Sequence, residues 1–246
     1  MDKDIRELKD CFNLSKNIVA FTGAGLSTES GIPTYRGRGG LWTKYDPMKY
    51  ANINYFLKDA TYYWEFFRDI RYKIIISAKP NKAHYFLVEL EKQNKLKHVI
   101  TQNIDGLHKI AGQKRVIELH GNTREIVCMD CNKTLTMDEA FTLLKNQLPP
   151  RCTHCKGILR PNTVFFGESL PQKELDKAIS VSKKCDLFLV LGSSLVVSPA
   201  SHLPQIAKEN GSLLAIINID STPFDDVADI VIHDAASKVL SDLIEG

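Results

Sequence analysis

The stretch VITQNIDGLHKIAGQKRVIELHGN, residues 99–122, contains two apolar runs that each end in polar side chains. Residues 99–101 predict a buried strand and residues 115–119 predict the next one, because short apolar runs rich in β-branched residues favour strands. A short helix is predicted between them, at 104–112, with Gly112 as its stop signal. The polar side chains that follow the two strands can bind a sugar or move a proton; they are Gln102, Asn103, Asp105 and His120.

Strands and helices alternate along most of the remaining sequence. Apolar runs predict further strands at 17–22, 186–192, 212–218 and 228–233. Helical periodicity predicts helices at 3–15, 81–94, 171–184, 199–211 and 235–245. Because alternating strands and helices build parallel sheets, we expect an α/β fold: a Rossmann-like parallel sheet with helices on both faces.

The composition is that of an ordinary globular protein. The 246 residues are 43% hydrophobic and 25% charged, with a net charge of +3, which is too small to indicate nucleic-acid or membrane binding. The first ten residues, MDKDIRELKD, carry no apolar segment, so a secretion signal is not expected. We therefore expect a cytoplasmic protein, in which cysteines are thiols or metal ligands and not disulfides.

Two insertions interrupt the alternation. Residues 35–80 are rich in aromatic and basic side chains and predict helices, whereas residues 123–159 are polar and contain two cysteine pairs. We expect the two insertions to form one small zinc-binding domain. The large domain would then consist of about residues 1–34, 81–122 and 160–246, and the whole chain 1–246 would form a single functional unit.

The cysteine pairs have the spacing of a zinc site. Cys128 and Cys131 are separated by two residues, as are Cys152 and Cys155, and 20 residues lie between the pairs. Four thiolates complete the tetrahedral shell of Zn²⁺ and leave no position for a reacting water, so a structural zinc ion is predicted. Four unrelated thiols, or a zinc ribbon that binds nucleic acid, are the alternatives.

A glycine-rich loop follows the strand at 17–22. Gly23 and Gly25 could let backbone amides approach a phosphate, but Thr28 stands where a dinucleotide fingerprint has its third glycine. A simple tight turn is the alternative interpretation. The carboxyl ends of parallel strands share one edge of the sheet, so residues that follow different strands should meet there. Those residues are Gly23, Gln102, His120, Gly192 and Asn218.

Six motifs in order resemble the sirtuins, a family of NAD-dependent protein lysine deacylases. They are GAGLSTESGIPTYR (23–36), TQNID (101–105), ELHGN (118–122), the two cysteine pairs, RPNTVFFGE (160–168) and GSSLVVSPA (192–200). The resemblance implies NAD as co-substrate, one structural Zn²⁺, and an acylated lysine in a protein or peptide as partner. The expected products are nicotinamide, O-acetyl-ADP-ribose and free lysine.

The resemblance also implies roles for individual residues. His120 would be the general base, with Asn103 as the second catalytic residue. NAD would be bound by Ala24, Gly25, Thr28, Tyr35, Arg36, Gln102, Ile104, Asp105, Gly192, Ser193, Ser194, Asn218 and Ala235. The acylated peptide would be flanked by Val164, Phe165, Phe166, Gly167, Glu168, Leu195, Val196 and Val197.

The sequence departs from the family pattern at two places. Tyr35 stands where many members have phenylalanine, whose ring is expected to shield the reacting sugar. Members that remove succinyl or malonyl groups carry a Tyr-x-x-Arg pair, which aligns here with Phe67 and Ile70. Neither can bind a carboxylate, although Arg68 and Arg71 are close in sequence. We therefore expect short or apolar acyl groups, acetyl first.

Two alternative functions are weighed against deacylation. A protein mono-ADP-ribosyltransferase could use the same fold, but the presence of both His120 and Asn103 favours deacylation. A zinc-ribbon binding protein with a degenerate nucleotide site is disfavoured because the expected cleft residues are all present.

Overall fold

The computed structural model describes residues 3–37 and 39–245. Within these residues, nine strands form two sheets. The strands are β1 (Ile18–Thr22), β2 (Leu96–Thr101), β3 (Val116–Glu118), β4 (Gly121–Cys128), β5 (Thr134–Thr136), β6 (Leu159–Thr163), β7 (Leu187–Leu191), β8 (Leu213–Ile217) and β9 (Ile230–Ile232).

Short helices surround both sheets. The α-helices are α1 (Lys3–Leu14), α2 (Pro47–Tyr50), α3 (Ile53–Lys58), α4 (Thr61–Phe66), α5 (Tyr72–Ser77), α6 (Lys82–Lys92), α7 (Leu107–Ala111), α8 (Met137–Leu144), α9 (Gln172–Ser182), α10 (Leu203–Glu209) and α11 (Ala236–Glu245). A π-helical turn, Phe67–Arg71, joins α4 to α5. Across residues 3–37 and 39–245, every helix is too short or too polar to span a bilayer.

Six parallel strands build the larger sheet, in the order β3-β2-β1-β7-β8-β9. The order reverses between β1 and β7, which opens a crevice at the carboxyl ends of these two strands. Along β1, Ile18 and Ala20 join an apolar cluster on one face, together with residues of α1, α6 and α11. Val19 and Phe21 join a cluster on the other face, with residues of α9 and α10. The predicted α/β fold with helices on both faces is confirmed.

Antiparallel strands form the smaller sheet, in the order β5-β4-β6. The two insertions pack on each other here, because side chains of α3 and α4 share an apolar cluster with β4, β6 and α8. Trp64 is fully buried in that cluster, and its indole nitrogen donates to the carbonyl oxygen of Leu159 at 3.0 Å. Thr136 and Glu139 form a capping box at the start of α8.

Two segments differ from the expectation. The helix predicted at 104–112 begins only at Leu107, because Gly106 has a left-handed backbone (φ 73°) and the Asp105 carboxylate accepts from the Leu107 amide at 2.8 Å. The segment 199–211 begins as a 3-10 turn, Ala200–His202, before α10 starts.

Candidate functional site

A cleft of about 1150 Å³ lies at the carboxyl edge of the larger sheet, between that sheet and the smaller one. Its walls include the residues that follow β1, β2, β7 and β8, namely Gly23, Gln102, Gly192 and Asn218. His120, which follows β3, lines the same cleft. The strand ends therefore meet at one edge of the sheet, as the parallel topology predicts.

Most residues named from the sequence for catalysis, NAD or the peptide lie on this cleft, but three do not. Asp105 lines a small inner pocket next to the cleft, together with Ala24, Tyr35 and Asn103. The Leu195 side chain is 3% exposed and packs in the core, and the Val196 side chain is 54% exposed and lies outside the lining. The named residues that line the cleft are Ala24, Gly25, Thr28, Tyr35, Arg36, Gln102, Asn103, Ile104, His120, Val164, Phe165, Phe166, Gly167, Glu168, Gly192, Ser193, Ser194, Val197, Asn218 and Ala235.

The glycines after β1 and β7 allow two loops to touch. A side-chain carbon on Gly23 would lie 2.6 Å from the carbonyl oxygen of Gly192, and one on Gly25 would lie 2.8 Å from the Gly192 Cα. The Gly25 amide donates to the Gly192 carbonyl oxygen at 2.9 Å. The glycines are thus required by loop-to-loop packing. The segment after Gly23 is a 3-10 helix, Ala24–Ser30, and not an α-helix.

Asn103 and Asp105 are buried and fixed by hydrogen bonds. The Asn103 amide nitrogen donates to the Gly23 carbonyl oxygen at 2.9 Å, which ties the end of β2 to the end of β1. The Asp105 carboxylate accepts from the Ser27 hydroxyl at 2.8 Å. Burial raises the pKa of Asp105, and the hydrogen bonds from Leu107 and Ser27 oppose that rise. The inner pocket therefore presents rigid polar groups in a desolvated setting.

His120 is held in one tautomer. Its Nδ1 atom lies 3.0 Å from the backbone carbonyl oxygen of Gln102. Because a carbonyl oxygen can only accept, Nδ1 carries the hydrogen and Nε2 of the neutral ring is left as a proton acceptor. Burial lowers the pKa of His120, as does the nearby charge of Arg36, while the bond to Gln102 raises it. His120 is therefore a neutral imidazole at pH 7, able to take a proton.

Side-chain contacts also join the ends of β2 and β7. The Gln102 amide donates to the Ser193 hydroxyl at 2.8 Å, and Ser193 is itself buried. On the next strand, the Asn218 amide donates to the carbonyl oxygen of Asp220 at 2.7 Å. This edge of the cleft is thus lined by hydrogen-bonding groups over its whole width.

The segment after β6 forms the wall nearest the smaller sheet. The Val164 amide donates to the His120 carbonyl oxygen at 2.9 Å, and the Phe166 amide donates to Ala51 at 2.8 Å. Arg160 donates to both Glu168 oxygens, at 2.7 and 2.6 Å, and the Phe165 amide donates to the second of them. The Glu168 carboxylate is therefore occupied by contacts within the chain, and its geometry supports this wall.

Several lining residues were not assigned to the cleft from the sequence. Arg71, Trp42 and Tyr63 line the cleft, although they belong to an aromatic insertion without a recognisable motif. The Phe67 side chain is fully buried in the core, and neither Phe67 nor Ile70 lines the cleft. Only the folding of the insertion decides which of these neighbours faces the ligand space.

The four cysteines lie together, outside the lining of the cleft. Their sulfur atoms are within 4.8 Å of one another, and Cys128 and Cys131 lie 3.4 and 3.8 Å from Cys155 and Cys152, respectively. Four sulfurs that each lie about 2.3 Å from one zinc ion are about 3.8 Å apart, so the spacing fits Zn²⁺. Each pair is followed by a left-handed residue, Asn132 (φ 58°) and Lys156 (φ 65°), so the two halves of the site repeat one local geometry.

Comparison with known proteins agrees with this arrangement. The family model described as Sir2 family matches residues 23–199. An NAD-dependent protein deacetylase from Thermodesulfovibrio yellowstonii is 49% identical over 92% of this chain and 89% of its own length. The NAD-dependent protein deacylase 2 of Archaeoglobus fulgidus is 45% identical over 100% of this chain and 96% of its own. A solved structure of Sir2 with a p53 peptide and NAD⁺ is similar to the fold with a TM-score of 0.91, at 40% identity, over 100% of this chain and 98% of the other.

Proposed function

The chain belongs to the Sir2 family, and on that premise we propose that it is an NAD-dependent protein lysine deacetylase. The observation that carries this proposal is the convergence of His120, Asn103 and the two glycine loops on one cleft. Relatives at 45–49% identity that cover nearly the whole chain are named as NAD-dependent deacetylases or deacylases, which supports the same activity.

Two parts of the cleft suit the two halves of NAD. The loop Ala24–Thr28 with Arg36 would bind the phosphates, and the groups after β7, β8 and β9 would bind the adenosine half, namely Gly192, Ser193, Ser194, Asn218 and Ala235. Gln102 and Asn103 would bind the other ribose. Ile104 and Asp105 would hold the nicotinamide carboxamide in the inner pocket. NAD supplies the sugar that accepts the acyl group, and nicotinamide is its leaving group.

His120 would act as the general base in this scheme. Its Nε2 atom can take the proton of a ribose hydroxyl, which makes that oxygen nucleophilic toward the acyl carbon. The Nδ1–H bond to Gln102 keeps the ring in the required tautomer. The products would be nicotinamide, O-acetyl-ADP-ribose and free lysine.

The peptide would lie as an added strand between Val164–Glu168 and Leu195–Val197, bound mainly through its backbone. For the acyl group we propose a preference for short or apolar chains, because Phe67 is buried in the core and Ile70 does not line the cleft. Arg71 does line it, but its guanidinium is bound to the Tyr35 hydroxyl. Faster turnover of a succinyl-lysine peptide than of the matched acetyl-lysine peptide would contradict this preference.

The zinc ion would be held by Cys128, Cys131, Cys152 and Cys155 and would stabilise the smaller sheet. A closed four-sulfur shell offers no position for a substrate atom, so these residues take no part in the chemistry. The division of the chain into a large and a small domain, and a cytoplasmic location, stay predictions from the sequence.

The test combines the protein with NAD and an acetyl-lysine peptide and measures released nicotinamide and deacetylated peptide. Both products should depend on the acetyl group. His120→Ala should slow deacetylation by about 10²–10⁴-fold, the usual contribution of a general base, while His202→Ala, an exposed histidine, should be neutral. ADP-ribose found on protein side chains, with no loss of acetyl groups, would instead indicate a mono-ADP-ribosyltransferase.

A further inference from the structure

Tyr35 lies between the cleft and the inner pocket, because it lines both. Its ring packs against Trp42 with the ring centres 5.3 Å apart. The inner pocket behind it contains Asn103 and Asp105. The ring therefore lies at the boundary between the two spaces, together with the other residues that line both, namely Ala24, Arg71, Asn103 and Ile104.

A π-helical turn brings a cation to this ring. The turn Phe67–Arg71 joins α4 to α5, and a π turn contains one residue more than an α turn, so the residues after it are rotated about the helix axis. Phe67 at its start is fully buried in the aromatic core. Arg71 at its end lines both the cleft and the inner pocket.

Arg71 holds the Tyr35 side chain through two contacts. One terminal nitrogen donates to the Tyr35 hydroxyl at 2.8 Å, and the guanidinium carbon lies 5.2 Å from the centre of the Tyr35 ring. A hydrogen bond to a charged group and a cation–π contact are both stronger where water is excluded. The hydroxyl that distinguishes tyrosine from phenylalanine is thus the group that Arg71 binds.

We propose that Arg71 is a positioning residue for the reaction: through the Tyr35 hydroxyl, it fixes the ring that separates the inner pocket from the sugar. This inference rests on the deacetylase activity proposed above. In the reverse of the first step, the ring nitrogen of nicotinamide forms a bond to the sugar C1′ while the bond from C1′ to the acyl oxygen breaks, which restores NAD and acetyl-lysine. A fixed Tyr35 ring hinders this return, so the acyl group proceeds to the ribose hydroxyl instead.

The test measures two rates on the same protein: incorporation of labelled nicotinamide into NAD, and deacetylation of the peptide. Arg71→Met should raise the ratio of exchange to deacetylation by roughly tenfold, the factor that a hydrogen bond to a charged group is worth. Tyr35→Phe, which removes only the hydroxyl, should raise the ratio in the same direction. In the Tyr35→Phe background, Arg71→Met should raise the ratio by less than it does in the wild type, because the hydrogen bond is already lost and only the cation–π contact with the ring remains.

Arg68→Met is the matched control, since Arg68 belongs to the same turn but pairs with Asp69 at 2.6 Å and does not line the cleft; its ratio should equal that of the wild type. A merely structural role of Arg71 would lower both rates together and leave the ratio unchanged, which would overturn the inference. An equal effect of Arg71→Met in both backgrounds would also overturn it.

If Arg71→Met does not fold, Arg71→Lys replaces it, because lysine keeps the charge without the planar fork. In Arg71→Lys, the ratio of exchange to deacetylation should rise above that of the wild type, but by less than in Tyr35→Phe. An unchanged ratio would contradict the proposal. If the wild type shows no acetyl-dependent nicotinamide release, the proposed function fails and the inference with it. If the wild type is active and the ratio does not respond to Arg71, the inference alone fails.

Discussion

Around the six-stranded sheet, layers of apolar side chains cover both faces of buried parallel strands, whereas the three-stranded sheet shares a single apolar cluster with its helices and lies beside a cysteine cluster. All five residues of β1 and of β7 are buried, but β5 has only one buried residue of three. A small sheet buries too little apolar surface to be stable alone, so metal ligation contributes where the core cannot. The two halves of the cleft therefore depend on different interactions for their stability.

Loss of a zinc ligand should have the largest effect. Cys155→Ser should abolish zinc binding and lower the free energy of unfolding by more than about 5 kcal/mol, because the binding energy of a structural zinc ion is also folding energy. Elemental analysis and denaturant unfolding check this. Cys11→Ser, a half-buried thiol on α1, serves as the control. Retention of one zinc per chain in Cys155→Ser would show that the smaller sheet does not depend on this ligand.

A cavity in the larger sheet should destabilise without releasing metal. Leu189 is fully buried on β7, and Leu189→Ala should lower the free energy of unfolding by about 3 kcal/mol. Urea unfolding measures the change, and Leu57→Ala, at a side chain that is 54% exposed, should stay within about 0.5 kcal/mol of the wild type. If Leu189→Ala lost its zinc, the two regions would not be independent.

The larger sheet also differs from the smaller one in its expected response to pH, because two buried histidines, His84 and His108, pack beside it. The rings of His84 and His108 lie 4.9 Å apart, and His108 Nε2 lies 2.9 Å from the Thr22 hydroxyl at the end of β1. Burial lowers the pKa of His84 to about 4 and that of His108 well below its usual value. The unfolded chain therefore binds more protons than the folded one below pH 6.5.

Stability should fall as the pH is lowered from 6.5 toward 4, by roughly 3 kcal/mol for His84 over the whole window. His84→Gln cannot take up this proton, so its unfolding free energy should fall less than that of the wild type between pH 7 and pH 5. Urea unfolding at pH 7, 6 and 5 tests the slope, with the exposed His202→Gln as control. Parallel slopes in the wild type and His84→Gln would contradict the assignment.

The smallest effect is expected at the wall that joins the two regions. Glu168→Gln removes the negative charge that Arg160 binds, and the Arg160 side chain is only 14% exposed. The substitution should lower the free energy of unfolding by about 1 kcal/mol. The KM for the acetylated peptide should rise severalfold while the KM for NAD stays unchanged, because Glu168 supports Phe165 and its neighbours. Glu89→Gln, in an exposed ion pair with Lys92, should change neither. A selective rise in the KM for NAD would refute this role.

The grouping of the four cysteines was predictable because each cysteine pair is a local pattern. Two residues between the thiols force both onto one turn, whatever the rest of the chain does. The strand ends were predictable for a related reason: parallel strands bring their carboxyl ends to one edge, so Gln102, His120 and Asn218 had to converge. The prediction of a helix at 104–112 was less accurate, because the Asp105 cap and the left-handed backbone of Gly106 delay the start of α7 to Leu107.

The contacts within the cleft could not be predicted in the same way. Glu168 lines the cleft, but the sequence did not indicate that its carboxylate binds Arg160 on β6. The glycines at 23 and 25 were attributed to a phosphate, yet they are also required by the approach of the Gly192 loop. The loops of Gly23 and Gly192 are distant in sequence, and the pair Arg160 and Glu168 follows neither the helical nor the strand period, so no local pattern reports these contacts.

Three features follow from the sequence alone: the alternation of strands and helices, the edge of the sheet at which the polar strand ends meet, and the grouping of the cysteines. Each depends on short-range spacing or on the direction of parallel strands. The tertiary structure decided that Arg71 and not Ile70 faces the cleft, that it binds Tyr35, and that His120 keeps Nε2 free. These outcomes depend on packing between segments that are far apart in the chain, where a rotation of one residue in a helix exchanges a buried side chain for one that faces the ligand.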